Sequence, residues 1–290
     1  MTVVEDAGAR PTITPVAIGG VRGGPELTTV LRKDRWWVQP ALTMFGLTAF
    51  VVYGTWAAFR DSHWYVGFTA TPGFATSGGR DYLSPFYSPC LTNACFSHGY
   101  GWGPITAAAV SPALLILIFP LVFRTTCYYY RKAYYRSFWA SPPACAVADA
   151  GSKSWRKGYT GESRFPLVLN NIHRYAWYFA VIFAGILTWD AIAAFRFPNG
   201  AGMALGTLLF VANAVLIWLY TLGCHACRHL CGGHVKSFSK APIRKKLWDL
   251  VTPLNQHHQL FAWMSLISIV VCDFYTYLVS TGTIHDPRFF

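Results

Sequence analysis

Five stretches of about 20 apolar residues, each long enough to cross a hydrocarbon core of ~30 Å as a helix, constrain this chain more than any other feature. They run over 38–59, 104–123, 175–195, 203–222 and 260–279, contain no Lys or Arg, and hold only two acids, Asp190 and Asp273. In lipid, only helices or closed barrels satisfy their own backbone, and no alternating strand pattern suggests a barrel. The expected fold class is therefore an all-α membrane protein, a bundle of five transmembrane helices over residues 31–282. Charged residues make up 12% of the chain, about half the ~25% usual for a soluble domain, so much of its surface does not face water. Pro112 and Pro120 should kink the second span without ending it.

The loops set the orientation. Twenty Lys and Arg lie in the N-terminal tail and in the loops after spans two and four, against four (Arg60, Arg80, Arg196 and Arg288) on the other side. The positive-inside rule puts the first group in the cytoplasm, with the N-terminus inside and the C-terminus outside. A net charge of +12 would suggest nucleic acid in a soluble protein. In a membrane chain it sets topology and attracts anionic lipid or an acidic partner, so no nucleic acid is expected. Residues 1–30 read as a flexible cytoplasmic tail without a signal peptide, and 283–290 as an external tail. The loop Gly67–Gly103 should fold as an outer cap. Trp36, Trp37, Trp56, Trp64, Trp102, Trp177, Trp189 and Trp263 mostly fall near span ends, as in an interfacial belt. Asp190 and Asp273, near the outer interface, can snorkel or pair with Arg196.

The eight cysteines sort by side. Cys90 and Cys95 lie outside, where a disulfide is permitted. Cys272 is a packing residue within span five, and Cys127 and Cys145 read as ordinary cytoplasmic thiols. The other three sit in the run Cys224-His225-Ala226-Cys227-Arg228-His229-Leu230-Cys231-Gly232-Gly233-His234, six potential metal ligands at the inner mouth of span four. If that helix continued past Leu222, a turn of ~100° per residue would put Cys224, Cys227 and Cys231 on one face. Cys227-x-His229 and Cys231-x-x-His234 also compress the two half-motifs of a Rieske [2Fe–2S] centre, in which two His replace two Cys on one iron. Four ligands on so short a segment are tight. A variant is easier to build, with cysteines of the run on one iron and histidines of neighbouring helices (His173, or His257-His258) on the other. Structural zinc, one haem b near the cytoplasm, or solvated His beside unmetallated Cys remain alternatives. Spans one and two have no His, so a two-haem stack is not expected.

A second inner cluster gathers hydrogen-bonding and aromatic groups: Asn170, Asn171, His173, Arg174, Tyr175 and Trp177 open span three, and Asn255 to Gln259 open span five. With Trp36, the residues His173, Arg174 and His258 are candidates for the head of a quinone, whose carbonyls take hydrogen bonds and whose ring stacks. Polar caps on helix starts explain part of the same pattern.

With five spans, an internal N-terminus, basic inner loops and His at the inner ends of spans three, four and five, the chain resembles the membrane-anchor subunit of succinate:quinone oxidoreductase, respiratory complex II, in its single-chain actinobacterial form. Leu167–Trp189, Gly223–His234 and Leu254–Asp273 carry the resemblance most clearly. It implies a subunit of the bacterial inner membrane that holds a flavoprotein and an iron–sulfur subunit at the cytoplasmic face and provides a quinone pocket. The dehydrogenase site is then on a partner, and the complex could form a higher oligomer. Electrons would pass from the iron–sulfur subunit through the Cys/His centre to quinone. Histidine ligation puts such a centre at roughly −150 to +300 mV, a range suited to reducing quinone. A transporter would show inverted repeats and broken mid-membrane helices, and neither is visible. A non-redox structural anchor would carry zinc or no metal.

Overall fold

The computed structural model describes residues 35, 37–60, 62–66, 82–90, 111–138, 167–197 and 200–290. The described chain is mostly helical. In order come α1 (Val38–Phe59), α2 (Pro112–Thr126), α3 (Tyr128–Phe138), a 3-10 turn (Leu167–Ile172), α4 (His173–Ala193), α5 (Leu205–Leu222), α6 (His225–Gly232), α7 (Pro242–Gln256) and α8 (His258–Ser280). Two short antiparallel pairs accompany them, β1 (Tyr65–Val66) with β2 (Tyr82–Leu83) and β3 (Arg196–Phe197) with β4 (Gly200–Ala201).

Four helical segments are long and apolar enough to cross a membrane: α1, 168–193, α5 and α8. The bent pair α2–α3 supplies a fifth candidate, with a 77° angle between its halves. Here the structure corrects the expected second span. Its helix starts at Pro112, in the first turn, where a missing N–H breaks no helical bond. It runs to Thr126, past the expected end at 123, with Pro120 inside it, and breaks at Cys127. The sequence gives the reason: Tyr128 to Phe138 contains Arg131, Lys132 and Arg136, which hydrocarbon does not solvate. Residues 104–110, the start of the expected span, lie outside the described residues.

Packing centres on α5, which lies against α8 and α4, while α2 lies on α4 and α3 on α1. Ala176, Ala180, Ala184 and Ala191 bury one face of α4, and such small side chains let helix backbones approach closely in lipid. Large apolar residues left outside, among them Leu42, Phe45, Val51 and Val52 of α1, Ile182 and Ile192 of α4 and Ile267 of α8, form a surface suited to acyl chains.

Polar groups at one end of the bundle satisfy one another. Asp273 is wholly buried and pairs with Arg60, at 2.6 Å to Nη2 and 3.0 Å to Nη1. Tyr53 and Ser84 also donate to it. The sequence-based partner Arg196 lies instead over the Trp189 ring, 5.3 Å from its centroid. Asp190 accepts from Ser88. The C-terminal tail folds back onto the bundle: Met203 N donates to Phe290 O, and the buried carboxylate of Asp286 accepts from Tyr82 (2.6 Å), Tyr275 (2.6 Å) and Gly206 N (3.0 Å). That carboxylate sits at the first turn of α5, where the helix has unpaired N–H groups and favours negative charge. Gly206 has to be glycine, because a Cβ there would lie 2.4 Å from the Tyr82 ring. Cys90 is disulfide-bonded; Cys95, its expected partner, lies outside the described residues, as does most of the expected outer cap.

Asp273→Asn leaves Arg60 buried without its counter-charge, and breaking such a pair costs about 3–5 kcal/mol. The expected result is a clear fall in the thermal denaturation midpoint of the detergent-solubilised protein; an unchanged midpoint would refute this account. Gly206→Ala should cost about 1–3 kcal/mol through overpacking in the same measurement.

Candidate functional site

Helix α5 stops at Leu222. At Gly223 the chain passes so close to α7 that a Cβ would lie 2.8 Å from Leu219 O and 2.9 Å from Leu254 O. Asn255 Nδ2 then donates to Gly223 O at 2.9 Å, pinning the break. Cys224 follows in extended conformation (φ −64°, ψ 142°), and its sulfur caps α6 by accepting from Ala226 N at 3.4 Å. The expectation that Cys224, Cys227 and Cys231 share one face of a continuing helix is therefore corrected. The break sets the Cys224 sulfur against His173, ahead of the helix α6 that carries the other two.

There Cys224 Sγ meets His173 Nε2 at 3.1 Å. The other ring nitrogen, Nδ1, is 2.9 Å from Thr126 Oγ1, and Phe123 stacks on the ring at 4.9 Å and 5°. The imidazole is thus fixed at both edges and on one face. A matching contact lies beside it, with Cys127 Sγ 3.6 Å from His258 Nε2. His258 stacks on Tyr220 at 4.9 Å and 8°. Cys127, Cys224 and His258 are all 2% exposed or less, so water is kept from the sulfurs. Both thiols belong to one packed cluster with Phe123, Tyr130 and Tyr220, and the two imidazoles are within electrostatic reach of each other.

The four come from four places in the chain: the bend between α2 and α3, the first residue of α4, the break after α5 and the first residue of α8. Of the pair His257-His258 only the second enters the site, because His257 is exposed with its Nδ1 3.0 Å from Pro253 O. Arg124, expected in a loop, instead lies among these groups, donating to Tyr130 Oη (2.6 Å), Ala262 O (3.3 Å) and Ser265 Oγ (3.2 Å).

The rest of the Cys224–His234 run points elsewhere. Cys227 and Cys231 lie one turn apart on α6, near enough to interact electrostatically. His225 is exposed. His229 Nδ1 is 2.8 Å from Arg174 Nη2, and its ring is 5.0 Å from that of His234, which has a left-handed backbone (φ 60°). Among the described residues, no group of three or more His, Cys, Asp or Glu surrounds one point as ligands of a single metal ion. Of the quinone candidates, His173 and His258 face sulfur and Arg174 is exposed beside His229. Trp36 lies outside the described residues. Sequence reasoning missed Cys127. Its one available signal was its place directly after an apolar run that ends in Arg124-Thr125-Thr126.

Residues 38–282 match the family model described as actinobacterial succinate dehydrogenase subunit SdhC. The chain belongs to that family. It is thus a membrane subunit of succinate dehydrogenase, an oxidoreductase, and a multi-pass protein of the bacterial inner membrane. Among solved structures it is similar to a chain of the Mycobacterium smegmatis Sdh1 complex in the apo form, at 48% identity and a TM-score of 0.76, covering 92% of this chain and 96% of that one. A comparison with curated proteins finds no match.

Burial pushes the Cys224 thiol from its ordinary 9.0 up to about 12, and burial with the neighbouring Cys231 does the same to Cys227. Between pH 9 and about 12 the unfolded chain has lost these protons while the folded chain keeps them. Stability therefore falls as pH rises through that window. Thermal midpoints of metal-free protein should drop across it, and the double variant Cys224→Ser/Cys227→Ser should drop less.

Proposed function

We propose that this SdhC-family chain is the anchor and quinone-reducing subunit of its succinate dehydrogenase. In this reading it holds a Rieske-like [2Fe–2S] centre on Cys127, Cys224, His173 and His258. The observation that carries the reading is the buried pair of thiol–imidazole contacts, Cys224 with His173 and Cys127 with His258, brought side by side from four separate segments. Two cysteines and two histidines are the donor set of such a centre, with the cysteines on one iron and the histidines on the other. Bound there, the cluster would supply a one-electron carrier of raised potential between an iron–sulfur protein and a quinone.

The residues themselves support the fit. His258 turns Nε2 to the Cys127 sulfur at 3.6 Å, as His173 turns its Nε2 to the Cys224 sulfur at 3.1 Å, so each thiol faces one imidazole nitrogen. Thr126 holds His173 by Nδ1 and leaves Nε2 directed at the sulfur side, the outer-shell arrangement that fixes a ligating imidazole. Both thiols must lose a proton to ligate iron, and burial, with the neighbouring Cys127 and Cys227 thiols, opposes that loss at Cys224. Loading therefore releases protons, and retention weakens in acid. Zinc with the same four donors would ask them to surround one ion, which no group of described residues does.

Flavoprotein and iron–sulfur subunits dock on the basic face in this reading, at the end that carries Arg174, Arg228, Arg244, Lys245 and Lys246. That face is cytoplasmic, with the N-terminus inside, five crossings of which α2–α3 is the bent one, and the C-terminus outside. The domain limits stay 1–30 for the cytoplasmic tail, 31–282 for the bundle and 283–290 for the external segment. The quinone head is bound at the same edge. There Arg174 and His229 offer hydrogen-bonding groups beside the exposed rings of Tyr175 and Tyr178, and Trp36 is a further candidate.

The test is EPR on the reduced, assembled complex. A [2Fe–2S] signal additional to those of the soluble subunits is expected, and Cys127→Ser or Cys224→Ser should remove it and stop quinone reduction. Cys231→Ser should leave both intact. A wild-type complex without the extra signal, or a full signal in the Cys127 and Cys224 variants, overturns the proposal.

A further inference from the structure

Helix α1 is held to the bundle at its two ends. At the aspartate end Tyr87 Oη donates to Ala57 O (3.0 Å) and Arg60 O (2.6 Å), Ser111 Oγ donates to Ala58 O (2.5 Å), and Arg60 pairs with Asp273. At the histidine end α3 packs on it. Between the two, α1 stands off. Only Ala57 and Ala58 of its residues are buried, against eight residues in each of α4 and α5 and nine in α8. It touches α2 little, and a cleft of ≈ 470 Å³ separates the two helices, floored by α4, α5 and α8. Along α2 the cleft runs from Leu114 to Arg124, ~15 Å at the ~1.5 Å rise per residue of a helix. That is about half of a ~30 Å hydrocarbon core, the depth of a single leaflet. The rim residues Val51, Phe59, Ile118 and Leu121 are more than half exposed and continue the apolar surface that the bundle turns to lipid.

We propose that the cleft between α1 and α2 binds one acyl chain of a membrane phospholipid, whose headgroup stays outside it at the bilayer surface. A void of this size would leave the side chains on both walls without dispersion partners, and water does not fill an apolar cavity. No described side chain fills it. In a bilayer a hydrocarbon chain is as apolar as the leucines of a helix surface, so it enters without a cost of transfer and restores those contacts. The polar atoms of the wall select a plain chain over a ligand with a polar head. Thr55 spends its hydroxyl on Val51 O at 2.8 Å, and Arg124 donates to Tyr130 Oη, Ala262 O and Ser265 Oγ. The Tyr220 hydroxyl is wholly buried and is not presented to the cleft. A quinone would bring carbonyls into a wall whose donors are taken or closed off, and burying an unmatched polar group is unfavourable. The chain is thus a structural ligand that joins α1 to the bundle where protein contacts are missing. This site stands apart from the proposed cluster and quinone edge and does not depend on either.

The experiment is native mass spectrometry of the assembled complex, stripped of lipid in detergent and then exposed to palmitoyl-oleoyl phosphatidylglycerol. We expect the wild type to retain a phospholipid that the double variant Val51→Trp/Ile118→Trp loses, because the two indoles occupy the rim from opposite walls. If the double variant does not assemble, the wild-type complex grown with photo-leucine and returned to the same lipid decides. On irradiation the diazirine at Leu117, a half-buried lining residue, should insert into the acyl chain and yield a peptide carrying the mass of the phospholipid. Equal retention by wild type and variant, or no retention by wild type, overturns the proposal. So does a Leu117 adduct with an isoprenoid quinone, with another segment of this chain or with a second copy. The cluster reading is judged separately by its EPR signal and survives any of these results.

Discussion

Hydrocarbon does not solvate polar groups, and the architecture of this chain follows from that constraint. Each helix closes its own backbone bonds, and each polar side chain placed between helices needs a partner from another helix. At the aspartate end the carboxylates are met: Asp273 gathers Arg60, Tyr53 and Ser84, and Asp286 gathers Tyr82, Tyr275 and the first turn of α5. These contacts tie α1, the β1–β2 ribbon, α5 and α8 into one unit. Breaking them would cost more than breaking surface ion pairs, because the exposed alternative is lipid and not water.

The histidine end obeys the constraint differently. His258 Nδ1 and the Tyr220 hydroxyl are buried without hydrogen-bond partners among the described residues, and two thiols face two imidazoles at distances where neither is a strong donor or acceptor. Buried polar groups left this way are unusual enough to call for a reason. What sets the histidine end apart is thus its pairing of thiols with imidazoles in place of carboxylates with cations and hydroxyls. That end also bears the basic residues and the bend, break and helix starts that release side chains from regular helical directions.

Much of the fold was legible because its strongest signal is length. Twenty apolar residues without a cation can do little but span, so α1, α4, α5 and α8 coincide closely with the expected stretches. The second span was misread at its end because hydropathy fades gradually through Arg124-Thr125-Thr126, whereas the chain bends sharply at Cys127. The site was legible by residue type and not by membership. His173, Cys224 and His258 were singled out, but the density of Cys and His in 224–234 drew attention to neighbours along the chain. Cys127 is joined to His258 only through the packing of α2, α5 and α8, across 131 positions of sequence. No local pattern marks such a contact.

Gly223 shows how a small local cause decides the larger arrangement. Had α5 continued as a regular helix, Cys224, Cys227 and Cys231 would have followed one face and the run would have behaved as a single segment. Instead Asn255 of α7 takes the Gly223 carbonyl, and the absence of a Cβ lets the α7 backbone approach. The next residue is driven into extended geometry, aimed at His173. The direction of the Cys224 sulfur is therefore set by a contact between α5 and α7, outside the four candidate ligands. That contact joins the segment that aims Cys224 to α7, the helix that carries Arg244, Lys245 and Lys246.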